Sequence, residues 1–508
     1  MHQLAQLDHA HVWHPFTQMR DWLRREPIVI TGGQGAMLRD ARGNKYLDAN
    51  ASIWTNLHGH QHPKINAAIR RQLNKIAHSS ALGFANEPAS LLAQRLVKLA
   101  EGGARRAELR GHGPGRGRPP SSIQNPKLEK VFFSDNGSTA VEVALKLAYQ
   151  YTLRARKPAG RPSARAAKPR FLSLDGAYHG DTIGAVSLGH IDLFHSAYGG
   201  MLFKTDKVMS PYCYRCPFNR AKPERADARK YRKCNWECVS LVEKKFCAQK
   251  TKGNPYAAFV FEPLMQGAAG MIPQPSGWLG QVTDIARRHG ALLIADEVMT
   301  GFGRTGGSCH GYENISKITR RPTAAKLFAT ARVGVTPDFL CVAKGLTGGY
   351  LPMAATLTTQ KVFDAFLGEY EEFKTFFHGH SFTGNQLGAA AALASLDILT
   401  TAATVRQRAR LQNYLHTELQ TLWALPNVGD IRQVGLVAGV ELVKNWRTRE
   451  PFALRERAGI RVCEAMAQRG VLTRPVGNVI VLVPPYCTTR AQVQTIVGAL
   501  AEGVARLA

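Results

Sequence analysis

Short apolar runs that end in a charged side chain constrain the fold of this chain more than any other feature. Phe339–Ala343 is one such run, and Lys344 follows it directly, with glycines behind. Ala291–Ala295 is another, and it ends in Asp296 and Glu297. Unbroken apolar runs of roughly four to eight residues are typical of strands buried on both faces, as in parallel sheets. The chain is therefore predicted to carry chemically active residues at the ends of buried strands.

Strand and helix patterns alternate along the middle of the chain. Apolar residues at helical spacing appear near residues 65–73 and 91–99, and a helix is predicted from Ala140 to Tyr151. Further strand-like runs are Lys130–Ser134, Arg170–Leu174 and Phe259–Phe261. This alternation predicts an α/β fold, in which a mostly parallel sheet is covered by helices on both faces.

Lys344 and Asp296 are a chemically meaningful pair. A lysine amine whose pKa is lowered by burial can form a Schiff base with a carbonyl. An aspartate can keep a pyridine nitrogen protonated, so that the ring accepts electrons. The alternative is that lysine ends its strand only because the strand meets solvent there. Because both residues are present, the sequence favours a site for pyridoxal 5'-phosphate.

A possible phosphate site follows the strand-like run Lys130–Ser134. Asp135–Thr139 contains a glycine and two hydroxyl residues and opens the predicted helix. Backbone N–H groups and the dipole at a helix N-terminus bind anions. The alternative is an ordinary N-cap, since Ser and Asp are common at helix starts.

These stretches, together with Gly301–Gly306, resemble the class III, fold-type I pyridoxal-phosphate aminotransferases over nearly the whole chain. A narrower group within that family converts 8-amino-7-oxononanoate to 7,8-diaminononanoate in biotin synthesis. The resemblance to this group depends on Trp13–Met19, Ser52–His60, Lys344–Gly349, and Arg474–Pro475 followed by Val483–Tyr486. Another class III omega-amino-acid aminotransferase is the alternative, but those enzymes lack the Trp-His-Pro-Phe and Thr-Gly-Gly signatures.

The resemblance implies a domain organisation and an assembly. A large cofactor-binding domain is expected over residues 61–400, with a smaller α+β domain built from residues 1–60 and 401–508. The enzyme is expected to be a homodimer with shared active sites.

The resemblance also implies cofactor-binding roles. Lys344, Asp296 and Tyr178 are the expected catalytic residues, with Lys344 holding the cofactor and Asp296 pairing with its ring nitrogen. The other residues expected to contact the cofactor ring or its phosphate are Val298, Gln266, Gly137, Ser138, His380 and Ser381. His380 and Ser381 are expected to do so across the dimer interface.

Substrate contacts are implied in the same way. Arg474 is expected to bind the substrate carboxylate, because its planar fork accepts a carboxylate in bidentate fashion. The other residues expected to bind substrate are Phe16, Ile53, Trp54, Tyr178, Lys344 and Gly379.

Two of these positions depart from the best-known members of the group, which use S-adenosylmethionine as amino donor. Those members carry tyrosine where Phe16 stands and tryptophan where Ile53 stands. The missing indole face could have contacted a sulfonium cation, and such a contact is worth roughly 0.5–2 kcal/mol. S-adenosylmethionine remains the first expectation, because the other motifs match, and lysine, which some relatives use, is the alternative.

The net charge of +29, from 66 basic and 37 acidic residues, raises the question of a nucleic-acid partner. Most of the excess lies in four segments that look like insertions relative to the family: residues 104–126, 154–170, 210–252 and 316–333. We interpret them as solvated basic loops and expect no nucleic-acid partner. A DNA-binding protein is the alternative, and its affinity would fall steeply with salt.

Four of the nine cysteines lie in the third of these segments. They form two pairs with short spacers, Cys213/Cys216 and Cys234/Cys238, a pattern that resembles a structural zinc site. The alternative is four reduced thiols in a loop. The family predicts no metal in the active site.

No apolar run approaches the roughly 20 residues that span a bilayer. The first 14 residues also lack the basic and apolar regions of a secretory signal. A cytoplasmic protein with no membrane partner is therefore expected.

Overall fold

The computed structural model describes residues 1–108, 126–155, 168–306 and 326–507. The strands are β1 Ile30–Gln34, β2 Met37–Asp40, β3 Lys45–Asp48, β4 Leu128–Ser134, β5 Arg170–Leu174, β6 Asp206–Val208, β7 Tyr256–Phe261, β8 Met265–Gln266, β9 Ile272–Pro273, β10 Leu292–Asp296, β11 Phe339–Val342, β12 Ala354–Thr359, β13 Val428–Val434, β14 Val437–Asn445, β15 Glu450–Pro451, β16 Val471–Leu472, β17 Pro475–Val476 and β18 Val479–Leu482.

The helical segments are α1 Gln3–His11, α2 Met19–Trp22, α3 Ala51–Trp54, α4 Pro63–Leu73, α5 Glu87–Glu108, α6 Gly137–Ala155, α7 Ile183–Leu188, α8 Asp192–His195, α9 Ala228–Tyr231, α10 Glu237–Thr251, α11 Trp278–Arg288, α12 Ala329–Val333, α13 Gln360–Asp364, α14 Gln386–Leu399, α15 Ala402–Gln420, α16 Ala458–Gln468 and α17 Arg490–Ala505.

A seven-stranded sheet lies at the centre, in the order β4-β12-β11-β10-β7-β5-β6. The pairs among β6, β5, β7, β10 and β11 are all parallel, and β12 alone runs in the opposite direction. The predicted mostly parallel sheet is thus confirmed. β10 and β11 are neighbours, with Asp296 opposite Cys341, so the strand that ends in Asp296 and the strand that leads to Lys344 finish side by side.

Both faces of this sheet are apolar, which explains why its strands have unbroken apolar sequences. Leu293 and Ala295 belong to the large core cluster, to which helices α5, α10, α11 and α14 contribute. Ile294, one residue along, packs into a second cluster formed mainly by α6. Successive residues of a strand point to opposite faces, so each face is covered by its own helices. This arrangement is the predicted α/β architecture.

The two ends of the chain meet in a smaller sheet of the order β1-β2-β3-β16. β16, near the C-terminus, pairs in parallel with β3, near the N-terminus, with Val471 opposite Leu47. A five-stranded antiparallel sheet of β13, β14, β15, β17 and β18 completes the C-terminal part. A smaller α+β unit built from both termini is therefore present, whereas the predicted boundaries at residues 60 and 400 stay a prediction.

The third basic segment packs against this C-terminal sheet, so the prediction of a solvated loop is wrong for it. Tyr214 is buried in a small cluster with Cys213 and Ala228. The Arg225 guanidinium donates to the carbonyl oxygens of Trp423, Leu425 and Val428. An arginine can satisfy several carbonyl groups at once because it presents several donors in a planar fork. Arg215, Arg225 and Arg229 of this segment therefore anchor it to the C-terminal part of the chain.

The other three basic segments fall largely outside the described residues, at 109–125, 156–167 and 307–325. Within the described ranges, no single helix is long and apolar enough to cross a membrane. One sharply bent pair, Gln386–Leu399 with Ala402–Ala424, passes the same test of length and composition.

Candidate active site

A cavity of about 710 Å³ opens at the carboxyl ends of the central strands. In parallel α/β sheets this edge is where ligands bind. The residues lining it follow β4, β5, β7, β10 and β11 and come also from the segments 54–55 and 349–353: Trp54, Thr55, Asp135–Ser138, Tyr178–Thr182, Glu262, Ala268, Asp296, Val298, Met299, Ala343, Lys344 and Gly349–Met353.

Lys344 is the basic group inside this cavity. It lies two residues after the end of β11 and has a left-handed backbone, with φ 45°, a conformation that a non-glycine residue adopts at some energetic cost. Burial lowers the pKa of its amine, against the opposing charges of Asp296 and Glu262. A larger share of the amine is therefore neutral near pH 7 than for a solvated lysine, as a nucleophilic amine requires.

Asp296 lies at the end of β10 and is held by His179, which follows β5. The His179 Nδ1–H donates to Asp296 Oδ2 at 2.8 Å, and the Val298 N–H donates to Oδ1 at 3.0 Å. Burial by itself would lower the pKa of His179, but the hydrogen bond and charge of Asp296 raise it above its ordinary value. These two hydrogen bonds fix the direction of the carboxylate. His179 is not among the site residues that the sequence predicted.

Glu262 is a second carboxyl group at the cavity, after the end of β7. Its oxygens accept from the backbone N–H groups of Tyr178 at 3.3 Å and Gly267 at 2.8 Å. Burial raises the pKa of Glu262 to about 7. The strand-end carboxylate was visible in the sequence, but only its position beside Lys344 and Asp296 indicates a functional role.

Gly137 and Ser138 form the start of α6 at one side of the cavity. A Cβ atom at Gly137 would lie 2.6 Å from the Val298 side chain, so only glycine lets these two segments meet. The Ser138 hydroxyl accepts from the Thr182 N–H at 3.0 Å. α6 begins at Gly137 rather than at Ala140, and its first N–H groups therefore face the place predicted for an anion.

Trp54 reaches the cavity through an unusual backbone. Ala51, Ser52, Ile53 and Trp54 all have positive φ, between 45° and 67°, so α3 is a left-handed turn. Such runs are costly for residues with side chains and occur mainly at functional sites. The Lys344 Nζ lies 4.6 Å from the centre of the Trp54 ring. The turn thus places an aromatic face against the reactive amine.

The residues at the cavity fit pyridoxal phosphate. A buried amine, a carboxylate held by His179 and a helix N-terminus lie around one space, which matches an aldehyde, a pyridine nitrogen and a phosphate. Val298 and Tyr178 also line it, and the Tyr178 hydroxyl donates to Asp181 at 2.6 Å.

Seven predicted site residues are not among those that line the cavity, and four of them lie outside the turn at residues 379–381. Gln266 is fully buried, and its amide donates to the Asp175 carbonyl at 3.1 Å. Phe16 is 58% exposed, with its ring 5.3 Å from that of Phe194, and Ile53 is 45% exposed. Arg474 is exposed, between β16 and β17. Their predicted roles stay predictions.

The turn that contains Gly379, His380 and Ser381 also lies outside the cavity lining. His380 Nδ1 is 3.4 Å from a carboxylate oxygen of Asp135, which does line the cavity. The Ser381 carbonyl accepts from His78 at 2.9 Å. The turn therefore lies next to the cavity without lining it.

Sequence and structure comparisons identify the family to which this geometry belongs. Residues 19–316 and 322–504 match the profile of class III aminotransferases, and the chain belongs to this family. Pyridoxal phosphate is the cofactor of these enzymes, so the predicted cofactor and the predicted enzyme class are confirmed.

Relatives with the name adenosylmethionine-8-amino-7-oxononanoate aminotransferase align over nearly the whole chain. The protein from Nitratidesulfovibrio vulgaris is 46% identical over 97% of this chain and 80% of its own length. The one from Geobacter sulfurreducens is 44% identical over 99% of this chain and 97% of its own length.

Solved structures agree with this assignment. The crystal structure of the aminotransferase of the same name from Methanocaldococcus jannaschii superposes with a TM-score of 0.81, at 36% identity, over 99% of this chain and 98% of the other. A PLP-bound amine transaminase from an uncultivated Pseudomonas species gives a TM-score of 0.80, at 31% identity, over 98% and 99% of the two chains.

Proposed function

We propose that this enzyme transfers an amino group to 8-amino-7-oxononanoate, yielding 7,8-diaminononanoate in biotin biosynthesis, with S-adenosylmethionine as amino donor. The observation that carries the proposal is the full-length similarity to relatives of that name. The cavity supports it, because Lys344, Asp296 and the start of α6 lie around one space.

Pyridoxal phosphate, when bound, supplies a carbonyl that reacts with amines and a protonated ring that draws electrons from the substrate carbon. Lys344 Nζ would hold the aldehyde of the resting cofactor. Once the donor amine has displaced it, the same nitrogen would take a proton from the substrate carbon and return it as general base and acid. Its lowered pKa suits this role.

The other residues would bind and orient. Asp296, fixed by His179, would pair with the ring nitrogen, and Val298 and Tyr178 would cover the faces of the ring. The phosphate would accept hydrogen bonds from the N–H groups at the start of α6, where the helix dipole adds a favourable charge interaction.

Arg474 would bind the carboxylate of 8-amino-7-oxononanoate. Its exposure leaves the guanidinium free to approach an incoming substrate, and a bidentate pair fixes orientation as well as affinity. Arg474→Lys should raise KM for this substrate more than it lowers kcat, because lysine keeps the charge but loses the fork. The KM for the amino donor should stay unchanged.

We further propose a homodimer in which Ser381 from a second copy reaches the phosphate. Exposed apolar side chains cluster in two segments that touch each other: Leu82 at 88% and Phe84 at 72%, with Phe377 at 67% and Phe382 at 58%. The contacts between the segments include a hydrogen bond from Asn86 to the Gly384 carbonyl at 3.0 Å. Large apolar patches on a soluble protein are typical of interfaces.

Mixing two inactive variants tests the shared site. Lys344→Ala and Ser381→Asp each spoil a different part of it, so a mixed dimer would contain one site with both residues intact. Activity that returns on mixing, to about a quarter of wild type if subunits exchange randomly, supports the proposal. Full activity of Ser381→Asp by itself, or a monomer in sedimentation, contradicts it.

Lysine is the second candidate for the amino donor, and Ile53 is the observation that favours it. This side chain is 45% exposed and does not line the cavity, so position 53 adds no aromatic face next to Trp54. Trp54 by itself supports S-adenosylmethionine, because its ring faces the reactive amine and could equally face a sulfonium cation.

A half-reaction decides between the donors. Purified enzyme loaded with pyridoxal phosphate is mixed with each donor, and the loss of the cofactor's absorbance band is followed. Conversion by lysine but not by S-adenosylmethionine would overturn the first choice. The pair Ile53→Trp and Phe16→Tyr should then shift preference toward S-adenosylmethionine, while an unchanged preference would mean that these positions do not set the donor.

A further inference from the structure

A cleft of about 470 Å³ lies between helices α15 and α17, in the C-terminal part of the chain. One wall of this α15–α17 cleft is a face of α15 between residues 403 and 414, and the other is the segment 487–490, which leads into α17. None of the residues that line it also lines the cavity around Lys344. Small-molecule pockets commonly have volumes of roughly 300–1,000 Å³, so the cleft is large enough for a metabolite.

Three arginines stand at this cleft. Arg406 and Arg410 lie one turn apart on α15, so their side chains share a face of the helix, and Arg490 is the first residue of α17. All three are exposed, and none of their guanidinium groups makes an ion pair or a hydrogen bond within the described ranges. The Arg490 guanidinium lies over the Tyr414 ring, 5.7 Å from its centre. The cleft therefore holds three guanidinium groups whose donors are free to bind a ligand.

No described carboxylate balances this charge at the cleft. The only acidic residue of α15 is Glu418, further along the helix than Arg410, and it accepts from the Gln494 side chain at 3.1 Å. The only acidic residue of α17 is Glu502, near its far end, and it pairs with Arg469 at 2.7 Å. Neither carboxylate lines the cleft. Several like charges around one concave space create a positive potential that attracts anions.

The N-terminus of α17 adds backbone donors at the same place. This helix has 16 residues, and Thr489 is its N-cap. The Thr489 hydroxyl accepts from the Gln492 N–H, which leaves the N–H groups of Arg490 and Ala491 without an acceptor inside the helix. Unpaired N–H groups and the dipole at a helix N-terminus both favour a negative charge.

Thr488 provides an independent sign that a ligand belongs here. It lines the cleft and is only 4% exposed, yet its hydroxyl has no hydrogen-bond partner among the described residues. A buried hydroxyl without a partner is destabilising, and native proteins contain few of them. An acceptor atom bound in the cleft would give this hydroxyl its partner.

We propose that the α15–α17 cleft binds the phosphate group of a small molecule. Arg406 and Arg410 would each present a planar fork to the phosphate oxygens, the first N–H groups of α17 would donate from one end, and Thr488 would donate its hydroxyl. A phosphate monoester offers three strong acceptor oxygens, whereas a carboxylate offers two. Donors from two helices and a hydroxyl therefore suit a phosphate better than a carboxylate.

A larger basic cavity, of about 860 Å³, is the competing place for an anion. Two of its cations are already engaged: Arg170 pairs with Asp206 at 2.8 Å, and the Lys146 Nζ lies 3.0 Å from His378 Nδ1. Glu142 adds a carboxylate to its lining. These contacts reduce the positive charge that is available to a ligand, which favours the α15–α17 cleft.

Cation sites are less favoured by the described side chains. No three sulfur atoms of the paired cysteines at 213–216 and 234–238 lie within 4.8 Å of one another. Glu243, Cys247 and His289 do lie that close, but Arg288 donates to Glu243 at 2.7 Å, and its positive charge opposes a metal ion.

Titration of the holoenzyme with inorganic phosphate tests the proposal. The phosphate of the bound cofactor already occupies its own site in the holoenzyme, so added phosphate reports on a different place. At constant ionic strength, calorimetry should show one saturable site per chain. Arg406→Gln combined with Arg410→Gln should weaken this binding at least about tenfold, because charge-assisted hydrogen bonds are lost.

Two variants serve as matched controls. Arg70→Gln combined with Arg71→Gln removes the same charge from exposed positions of α4 that do not line the cleft, and it should leave phosphate binding unchanged. Lys204→Gln removes a cation from the larger cavity and should also leave it unchanged. Thr488→Val should weaken binding without lowering the thermal midpoint in phosphate-free buffer, because the hydroxyl that it removes has no partner.

Several results would overturn the proposal. One is a wild-type holoenzyme that shows no saturable binding of phosphate. Another is equal affinity in the double variants of α15 and α4, and a third is loss of binding in Lys204→Gln. Acetate that binds as tightly as phosphate would contradict the assignment of a phosphate group. Because the substituted arginines are exposed, these variants should keep their fold, and the wild-type titration needs no variant.

Discussion

Replacing His179 by leucine probes the part of the site that sequence reasoning missed. The imidazole donates to Asp296 Oδ2 at 2.8 Å, and both side chains are buried. Leucine has a similar volume but no donor, so Asp296 keeps only the Val298 N–H at 3.0 Å. A buried hydrogen bond to a charged group contributes about 1.5–3 kcal/mol, which corresponds to roughly a ten- to hundredfold loss of rate.

His179→Asn is the matched control. Its side-chain amide nitrogen stands close to the position of the imidazole Nδ1 and can donate to the same oxygen. The other ring nitrogen, Nε2, has no hydrogen-bond partner among the described residues, so asparagine loses nothing there. We expect it to recover most of the rate that leucine loses.

The assay is the single-turnover half-reaction of the holoenzyme, with the cofactor's absorbance recorded across pH. Loss of the hydrogen bond from residue 179 to Asp296 should also make the absorption spectrum of the bound cofactor depend more strongly on pH. A purely structural defect would not have this effect. A leucine variant within twofold of wild type, or an asparagine variant as slow as leucine with an unchanged spectrum, would refute the reasoning.

Three further changes test other parts of the site. Borohydride reduction should fix the cofactor covalently to Lys344, and peptide mapping should find the adduct there. An adduct on another lysine would contradict the assignment. Lys344→Ala should bind the cofactor but show no turnover. Gly137→Ala should weaken cofactor binding, because its Cβ would lie 2.6 Å from Val298. Gly200→Ala should bind the cofactor normally, because its Cβ would meet no described heavy atom within 4 Å apart from its chain neighbours. The Glu262 carboxyl has its pKa raised from 4.5 to about 7 by burial, so the folded state holds its proton more tightly and stability falls as pH rises through this range. Between pH 4.5 and about 7, the thermal midpoint of cofactor-free Glu262→Gln should therefore fall less than that of cofactor-free wild type. Parallel plots of thermal midpoint against pH for the two proteins would contradict this prediction.

The sequence was sufficient for the local features. The unbroken apolar runs before Lys344 and Asp296 predicted buried parallel strands, because a strand covered on both faces must be apolar at every position. The glycine and hydroxyls at 137–139 predicted a helix start for the same kind of local reason. These patterns lie within a few residues of one another, so they need no knowledge of distant contacts.

The pairing of distant residues needed the tertiary structure. His179 and Asp296 are separated by 117 positions, and they meet because β7 alone stands between β5 and β10 in the sheet. The direction of Trp54 depended on a left-handed turn that its residue types disfavour. The basic segment after β6 looked like a solvated loop, since its composition is charged, yet Arg225 and Arg215 anchor it to the C-terminal strands. Strand order, strained backbone and charge neutralisation all arise from contacts that only the folded chain brings together, and no local pattern records them.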